Sequence, residues 1–290
     1  MYNWSVDEKY LKKFPKKYRL WRITQLINYG LEEGEKLDRE EVKKAWSKIK
    51  NDLDPYKARA VEYLLWGKQY SLPRQLDFLE LAQSNAYIAK NYYLTGGTAL
   101  AAFYYSHRLS EDIDLFSEKQ EIESNVVEAF LKKIGPKLNI IKLKGTQTLG
   151  LVSFKLIYND GKELKVDLNY YPFPRIEIGT KYKNLGIDSI YDIAANKIHT
   201  IFMKPRLRDY IDIYFILSKE KYNFNDLIIN SKAKFDWDID RVNLASQLMR
   251  VKDFLREKKD FPKMLVPFER KKMESFFLKL AKSLEKEIFK

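Results

Sequence analysis

The chain reads as an α+β protein, with strands confined to its middle and helical patterns at both ends. Three observations carry that reading. Between Leu151 and Tyr170, apolar and polar residues alternate through two runs separated by Asn159-Asp160-Gly161-Lys162, which is hairpin chemistry. From about residue 190 onward, apolar residues recur at helical spacing instead. The first 70 residues also show helical spacing, as in Val42, Ala45, Trp46 and Ile49 among charged side chains. These divisions predict a helical N-terminal extension over 1–72, a strand-containing core over 73–185 and a mainly helical C-terminal domain over 186–290. The chain has 290 residues, 45% of them hydrophobic and 14% aromatic, which is enough for a substantial core.

In the extension, Asp38 is placed to cap the helix that follows it, with Glu41 three residues later as in a capping box. Trp21, Trp46 and Trp66 read as packing residues rather than base-stacking platforms. Leu72-Pro73 marks a boundary. Arg74 to Lys90 reads as a helix that turns Leu76, Leu79, Ala82 and Ala86 inward, and Asn91 to Leu94 as a short strand leading into Gly96-Gly97-Thr98. Thr98 is a candidate cap for a helix carrying Leu100, Ala101 and Tyr104. Asp112 and Asp114 then alternate with Ile113 and Leu115, so an extended strand presents both carboxylates on one face. Glu123 to Ile134 reads as a helix ended by Gly135-Pro136.

In the second hairpin strand, Leu164, Val166 and Leu168 alternate with Glu163, Lys165, Asp167 and Asn169, which places Asp167 on a polar face. Pro172 and Pro174 break that strand. Asp188 reads as the cap of a helix in which Ile190, Ala194, Lys197 and Ile201 share a stripe. A lysine on an apolar stripe needs an anion or must snorkel to solvent. Arg206-Leu207-Arg208-Asp209 precedes an apolar helix from Tyr210 to Leu217, in which Asp212 sits among Ile211, Ile213 and Phe215. Phe235 to Lys290 reads as basic amphipathic helices forming a lid or an RNA-binding surface.

The acidic pair and the glycine turn carry the chemistry. Two carboxylates held close repel each other, and a fold tolerates this cheaply when a cation sits between them. Mg²⁺ (or Mn²⁺) takes one or two carboxylates plus the phosphates of a substrate. Gly96 and Gly97 let backbone amides approach a phosphate, and a helix starting there adds its positive end. Asp-x-Asp alone would read as a solvated face; the glycine turn upstream points to a metal-dependent enzyme acting on a nucleoside triphosphate. No Gly-Lys-Ser/Thr follows, so this is not a Walker A loop, and no third glycine makes it a dinucleotide fingerprint.

Composition narrows the partners. The absence of cysteine excludes disulfides and thiolate zinc sites and fits a cytoplasmic location. With only His107 and His199, any metal must be bound by oxygen. No apolar run approaches the roughly 18 residues of a membrane span, and the N-terminus lacks a secretory core, so no membrane partner is expected. The net charge of +13 divides as +6 over residues 1–75, +1 over 76–249 and +6 over 250–290, so the excess lies outside the acidic motif. Such flanks suit a polyanion, nucleic acid above all. Lys12, Lys13, Lys16 and Lys17, set between aromatic residues, are candidate RNA contacts.

The string Gly96-Gly97-Thr98, thirteen residues, then Asp112-Ile113-Asp114-Leu115 resembles motif I of the nucleotidyltransferase-β superfold. With Arg108, Ser110 and Phe116 it resembles the AbiEii/AbiGii toxin family of abortive-infection and toxin–antitoxin systems. The resemblance continues at Lys197 and at Arg206-Leu207-Arg208-Asp209-Tyr210-Ile211-Asp212, and spans about Arg74 to Leu217. The N-terminal extension departs from that family, which usually reaches its glycine motif sooner. The resemblance implies a nucleotidyltransferase-like mixed sheet flanked by helices, with catalytic carboxylates at Asp112, Asp114 and Asp167. It implies metal on those three, and nucleotide contacts at Gly96, Gly97, Thr98, Lys197, Arg206 and Arg208. A supporting aspartate in the later segment is Asp209 or Asp212. The implied reaction joins a nucleotide to an acceptor hydroxyl, on RNA such as a tRNA 3′ end, and the implied partner is an antitoxin encoded nearby. Transfer to a small molecule or a protein hydroxyl, or a relict nucleic-acid-binding module, stays open on the residues alone.

Overall fold

A computed structural model describes residues 8–32, 34–66, 73–256 and 261–289. The chain divides into two compact units, Met1–Tyr70 and Ser71–Lys290. In the first, the longer helices are Pro15–Tyr29, Arg39–Ile49 and Pro55–Trp66, which close around Ile23, Ile27, Val42, Trp46 and Ile49. The Asp38 carboxylate accepts from the Glu41 amide at 2.7 Å and so caps the helix behind it. Trp46 packs inside and its indole N–H donates to Glu62 at 2.9 Å. The Trp66 side chain and residues 67–72 lie outside the described residues.

The second unit is built on a seven-stranded mixed sheet. Its strands are β1 (Tyr93–Leu94), β2 (Ile113–Ser117), β3 (Ile140–Thr148), β4 (Leu151–Tyr158), β5 (Glu163–Tyr170), β6 (Lys181–Tyr182) and β7 (Leu185–Ile187). They lie in the order β3-β4-β5-β2-β1-β7-β6. β2 pairs with β5 and β1 with β7 in parallel, while the remaining pairs are antiparallel. β4 and β5 form the hairpin that alternation predicts, with the expected bounds. β3 is the strand the pattern hides: it lies at the sheet edge, and most of Ile140-Ile141-Lys142-Leu143-Lys144-Gly145-Thr146-Gln147-Thr148 is exposed, so little alternation is imposed on it.

Two boundaries differ from expectation for local reasons. The helix expected over Arg74–Lys90 is two, Pro73–Gln83 and Ala86–Asn91, because the Asn85 side chain accepts from the Ile88 amide at 3.0 Å and starts a new helix. Asp188 does not cap the helix Ile190–Met203; Ser189 does, accepting from the Asp192 amide at 2.9 Å. Asp188 instead turns back beneath β1, where its carboxylate accepts from Thr95 Oγ1 at 2.5 Å. One apolar core runs from Phe78 and Leu79 through Ile113, Leu115 and Val166 to Ile198, Ile213 and Phe277. The helices Ile190–Met203 and Leu207–Lys219 therefore share the core of the sheet they cover. Among the described residues, no helix is long and apolar enough to cross a membrane.

Candidate active site

The site starts from one register. Asp114 on β2 lies opposite Asp167 on β5 in a parallel pair, so the two side chains project from neighbouring strands on the same face. Ile113 and Leu115 point into the core, as does Val166. Asp112 sits in the bend just before β2. Burial, reinforced by the charges of Asp167 and Asp112, pushes the Asp114 carboxyl up to about 6. Among the described residues, no hydrogen bond or ion pair reaches the Asp112 or Asp114 carboxylate.

Asp167 is held differently. Ser153 on β4 donates to one oxygen at 2.5 Å, and Lys165, two residues back on the same strand face, pairs with the other at 2.5 Å. Lys165 is legible as a neighbour of Asp167, since residues two apart on a strand share a face, whereas Ser153, from the paired strand, is not. Among the described residues, no group of three His, Cys, Asp or Glu side chains is arranged to hold a metal ion. The oxygen set that faces the cavity unpaired is thus Asp112 with Asp114, not all three carboxylates.

The glycine turn closes over this face. Gly96 has φ +69°, a conformation natural to glycine, and a Cβ there would stand 2.9 Å from Asp114 Oδ2. A Cβ on Gly97 would overlap the Arg108 guanidinium. The helix that follows begins at Gly96, with Thr95 at its N-cap position, and continues as a π-helix over Leu100–Tyr105. Thr98 is therefore not the cap. It lies inside the first turn, buried, with its hydroxyl bound to the Asp112 carbonyl and to Ser110 Oγ at 2.8 Å, so it anchors the acidic bend and stays out of the cavity lining.

Lys197 projects from Ile190–Met203 into the same region, but its ammonium is paired already, 2.6 Å from Asp209 Oδ1 and 3.0 Å from Asp212 Oδ2. Both aspartates are wholly buried behind the cavity wall. Asp209 also completes the start of Leu207–Lys219 by accepting from the Arg206 amide at 3.1 Å. Asp212 takes a bidentate pair from Arg108, with both contacts at 2.7 Å, and a hydrogen bond with His107 Nε2 at 2.8 Å. Burial alone would raise both carboxyls; Lys197 with Arg206, and Arg108 with Lys197, outweigh it and hold them below the ordinary carboxylate value. The resemblance includes Arg108, but its pairing with Asp212, and that of His107, had no signal, because nothing local to 107–108 points to a partner at 212. His199 stacks on Phe235, at 4.1 Å between rings, away from the site.

Together these groups line a cavity of about 250 Å³ containing Gly96, Gly97, Asp112, Asp114, Asp167, Lys165, Lys197, Arg206 and Arg208. Acid on one wall, guanidinium and ammonium groups on another, and free backbone amides at a helix start are the donor set for a metal-bound polyphosphate. Lys12, Lys13, Lys16 and Lys17 are exposed on the first unit, where Lys12 pairs with Glu8 and Lys13 and Lys17 lie over the rings of Tyr10 and Phe14.

A mixed sheet with an acidic pair beside a glycine turn and a basic wall is the arrangement of a nucleotidyltransferase. The profile of the nucleotidyl transferase AbiEii toxin family, type IV toxin–antitoxin system, matches residues 80–282, and the chain belongs to that family. A crystal structure of a Helicobacter pylori protein assigned to the nucleotidyltransferases is similar in fold, at 16% identity, covering 74% of this chain and 94% of that one with a TM-score of 0.52. The structure of JHP933 from Helicobacter pylori is similar as well, at 18% identity, 74% and 91% coverage and a TM-score of 0.50. An uncharacterized protein of Aquifex aeolicus (strain VF5) is 26% identical over 151 residues, which is 51% of this chain and 68% of that protein.

Proposed function

We propose that this enzyme transfers a nucleotidyl group from a nucleoside triphosphate to a terminal hydroxyl of RNA, such as a tRNA 3′ end, and releases pyrophosphate. The observation that carries the reading is the pair of carboxylates, Asp112 and Asp114, without hydrogen bond or ion pair among the described residues, facing Gly96-Gly97 and a wall with Lys197, Arg206 and Arg208. The amides that open the helix at Gly96 receive phosphate oxygens, and the lack of a Cβ at both glycines permits that approach. Asp112 and Asp114 would hold Mg²⁺ or Mn²⁺ together with phosphate oxygens. When bound, the cation supplies charge neutralisation and Lewis-acid polarisation at the α-phosphoryl group. Lys165 competes with such an ion for Asp167, which is the third carboxylate at that level of the sheet.

Arg206 faces the departing pyrophosphate, and Arg208, which lines this cavity and the one beside it, has no ion pair or hydrogen bond among the described residues. Lys197 adds positive charge from a fixed position, held by Asp209 and Asp212. Those two aspartates position cations and do not touch substrate. Positioning and preorganised charge account for most of the acceleration in such displacements. The charge of +13 favours a polyanionic acceptor. Membership of a type IV toxin family carries with it a cognate antitoxin as partner, and a cytoplasmic site of action fits an RNA target.

The test incubates the protein with total RNA, Mg²⁺ and each α-labelled triphosphate. Label on RNA that vanishes with chelator and in Asp114→Asn is the expected result. Label on protein or on small molecules instead would replace the acceptor, and no label under any condition would end the reading.

A further inference from the structure

We infer that a second cavity, about 660 Å³ and abutting the acidic pair, holds the acceptor as a single-stranded polynucleotide 3′ end, with Arg208 and Lys263 on its phosphates and Phe261 against a base. This rests on the transfer reaction proposed above and adds where the acceptor docks and by what chemistry.

The two cavities share Arg108, Ser110, Asp112, Arg206 and Arg208, so molecules filling them meet at Asp112. A displacement between two substrates requires that adjacency. The far wall comes from distant sequence. Leu109 donates its amide to the Lys263 carbonyl at 2.8 Å, Leu265 donates to His107 at 2.9 Å, and Arg108 and Met264 form a β-bridge. Residues 263–265 are thereby joined to the extended segment 107–109 that precedes the acidic pair, which places Lys263 beside it.

Charge selects the occupant. Lys263 is exposed, and Arg208 has no hydrogen bond or ion pair among the described residues, so the cavity carries cations beside Glu111 and Asp112 that can meet a phosphodiester. The nucleoside of the donor is uncharged and needs no such cations; Phe116 and Tyr171 in the first cavity offer it aromatic surface. Phe261 is half-buried, with the Arg270 guanidinium 4.4 Å from its centroid and Phe268 at 5.6 Å, which makes a fixed aromatic platform backed by positive charge. An aromatic platform beside a basic rim is how single strands are held without sequence readout. At about 660 Å³ this cavity falls in the ordinary range of ligand-binding clefts.

The experiment uses the full chain with Lys263→Glu, Phe261→Ala and Phe261→Trp, short single-stranded RNA bearing a free 3′ hydroxyl, and the same RNA blocked at that end. RNA binding is measured by fluorescence anisotropy across salt, and transfer by label incorporation. Lys263→Glu and Phe261→Ala are expected to weaken RNA binding and raise its KM about tenfold, with the KM for triphosphate unmoved and Phe261→Trp restoring the platform. Lys263→Glu also lowers the salt slope by about one. Unchanged RNA binding in both variants would overturn the inference, as would a rise in triphosphate KM alone, which assigns the cavity to the donor. A wild type that labels no RNA sinks the transfer reaction, yet loss of RNA binding in these variants would still uphold the docking site.

Discussion

At the scale of single residues, Asp114 shows how function and stability oppose each other. Its carboxyl is raised to about 6, first by burial and then by Asp167 and Asp112. The folded protein therefore keeps this proton to higher pH than the unfolded chain does. Its contribution to stability falls as pH rises from about 4 to about 6 and stays low above that. Asparagine cannot ionise, so Asp114→Asn is expected to be more stable than wild type at pH 8, by on the order of 1–2 kcal/mol, with the gain vanishing near pH 4. Urea titrations at both pH values check this; lower stability of the variant at pH 8 would contradict the repulsion. The same variant is expected to lose transfer by about a hundredfold or more, read as label incorporation. Metal-dependent transfer in wild type is expected to decline as pH drops through about 6, because protons then compete for Asp114. This acidic pair was legible from sequence because alternation is local. Arg108 was legible only as part of a resemblance, since its partner lies more than a hundred residues away.

Among elements, the turn at Gly96-Gly97 and the helix Leu207–Lys219 act as one device. Arg108 fills the space beside Gly97 and is gripped by Asp212, so the turn, the arginine and the helix fix one another. Asp212→Asn removes the charge that Arg108 and Lys197 share in the interior. It is expected to cost about 3–5 kcal/mol of unfolding free energy, measured by denaturant titration, because two buried cations lose their counter-ion. Gly97→Ala is expected to displace Arg108, lowering stability by about 1–3 kcal/mol and weakening triphosphate binding. Wild-type values in both assays would show that the arginine relaxes freely. Sequence pattern exposed the hairpin of β4 and β5 because each strand has one wet and one dry face. It hid β3, whose edge position leaves both faces mostly wet, and it merged two helices because the break is a single side-chain cap at Asn85.

For the molecule as a whole, the excess positive charge lies, along the sequence, outside the segment that carries the acidic motif. The acidic motif sits in a nearly neutral middle, while both flanks are basic. RNA affinity is accordingly expected to fall steeply with salt, with the slope counting the phosphates neutralised. Replacing Lys12, Lys13, Lys16 and Lys17 together by glutamate is expected to flatten that slope without altering the triphosphate KM, as titrations across salt would show; an unchanged slope would remove the first unit from RNA contact. Here the sequence spoke clearly about sign and poorly about place, because composition carries no coordinates.

The bridge between Arg108 and Met264 sets a timetable for synthesis. A nascent chain that has left the ribosome as far as residue 250 already carries both aspartates, the glycines, Lys197 and both arginines, but lacks the segment that walls the second cavity. The wall of the second cavity is thus made after every residue that lines the first.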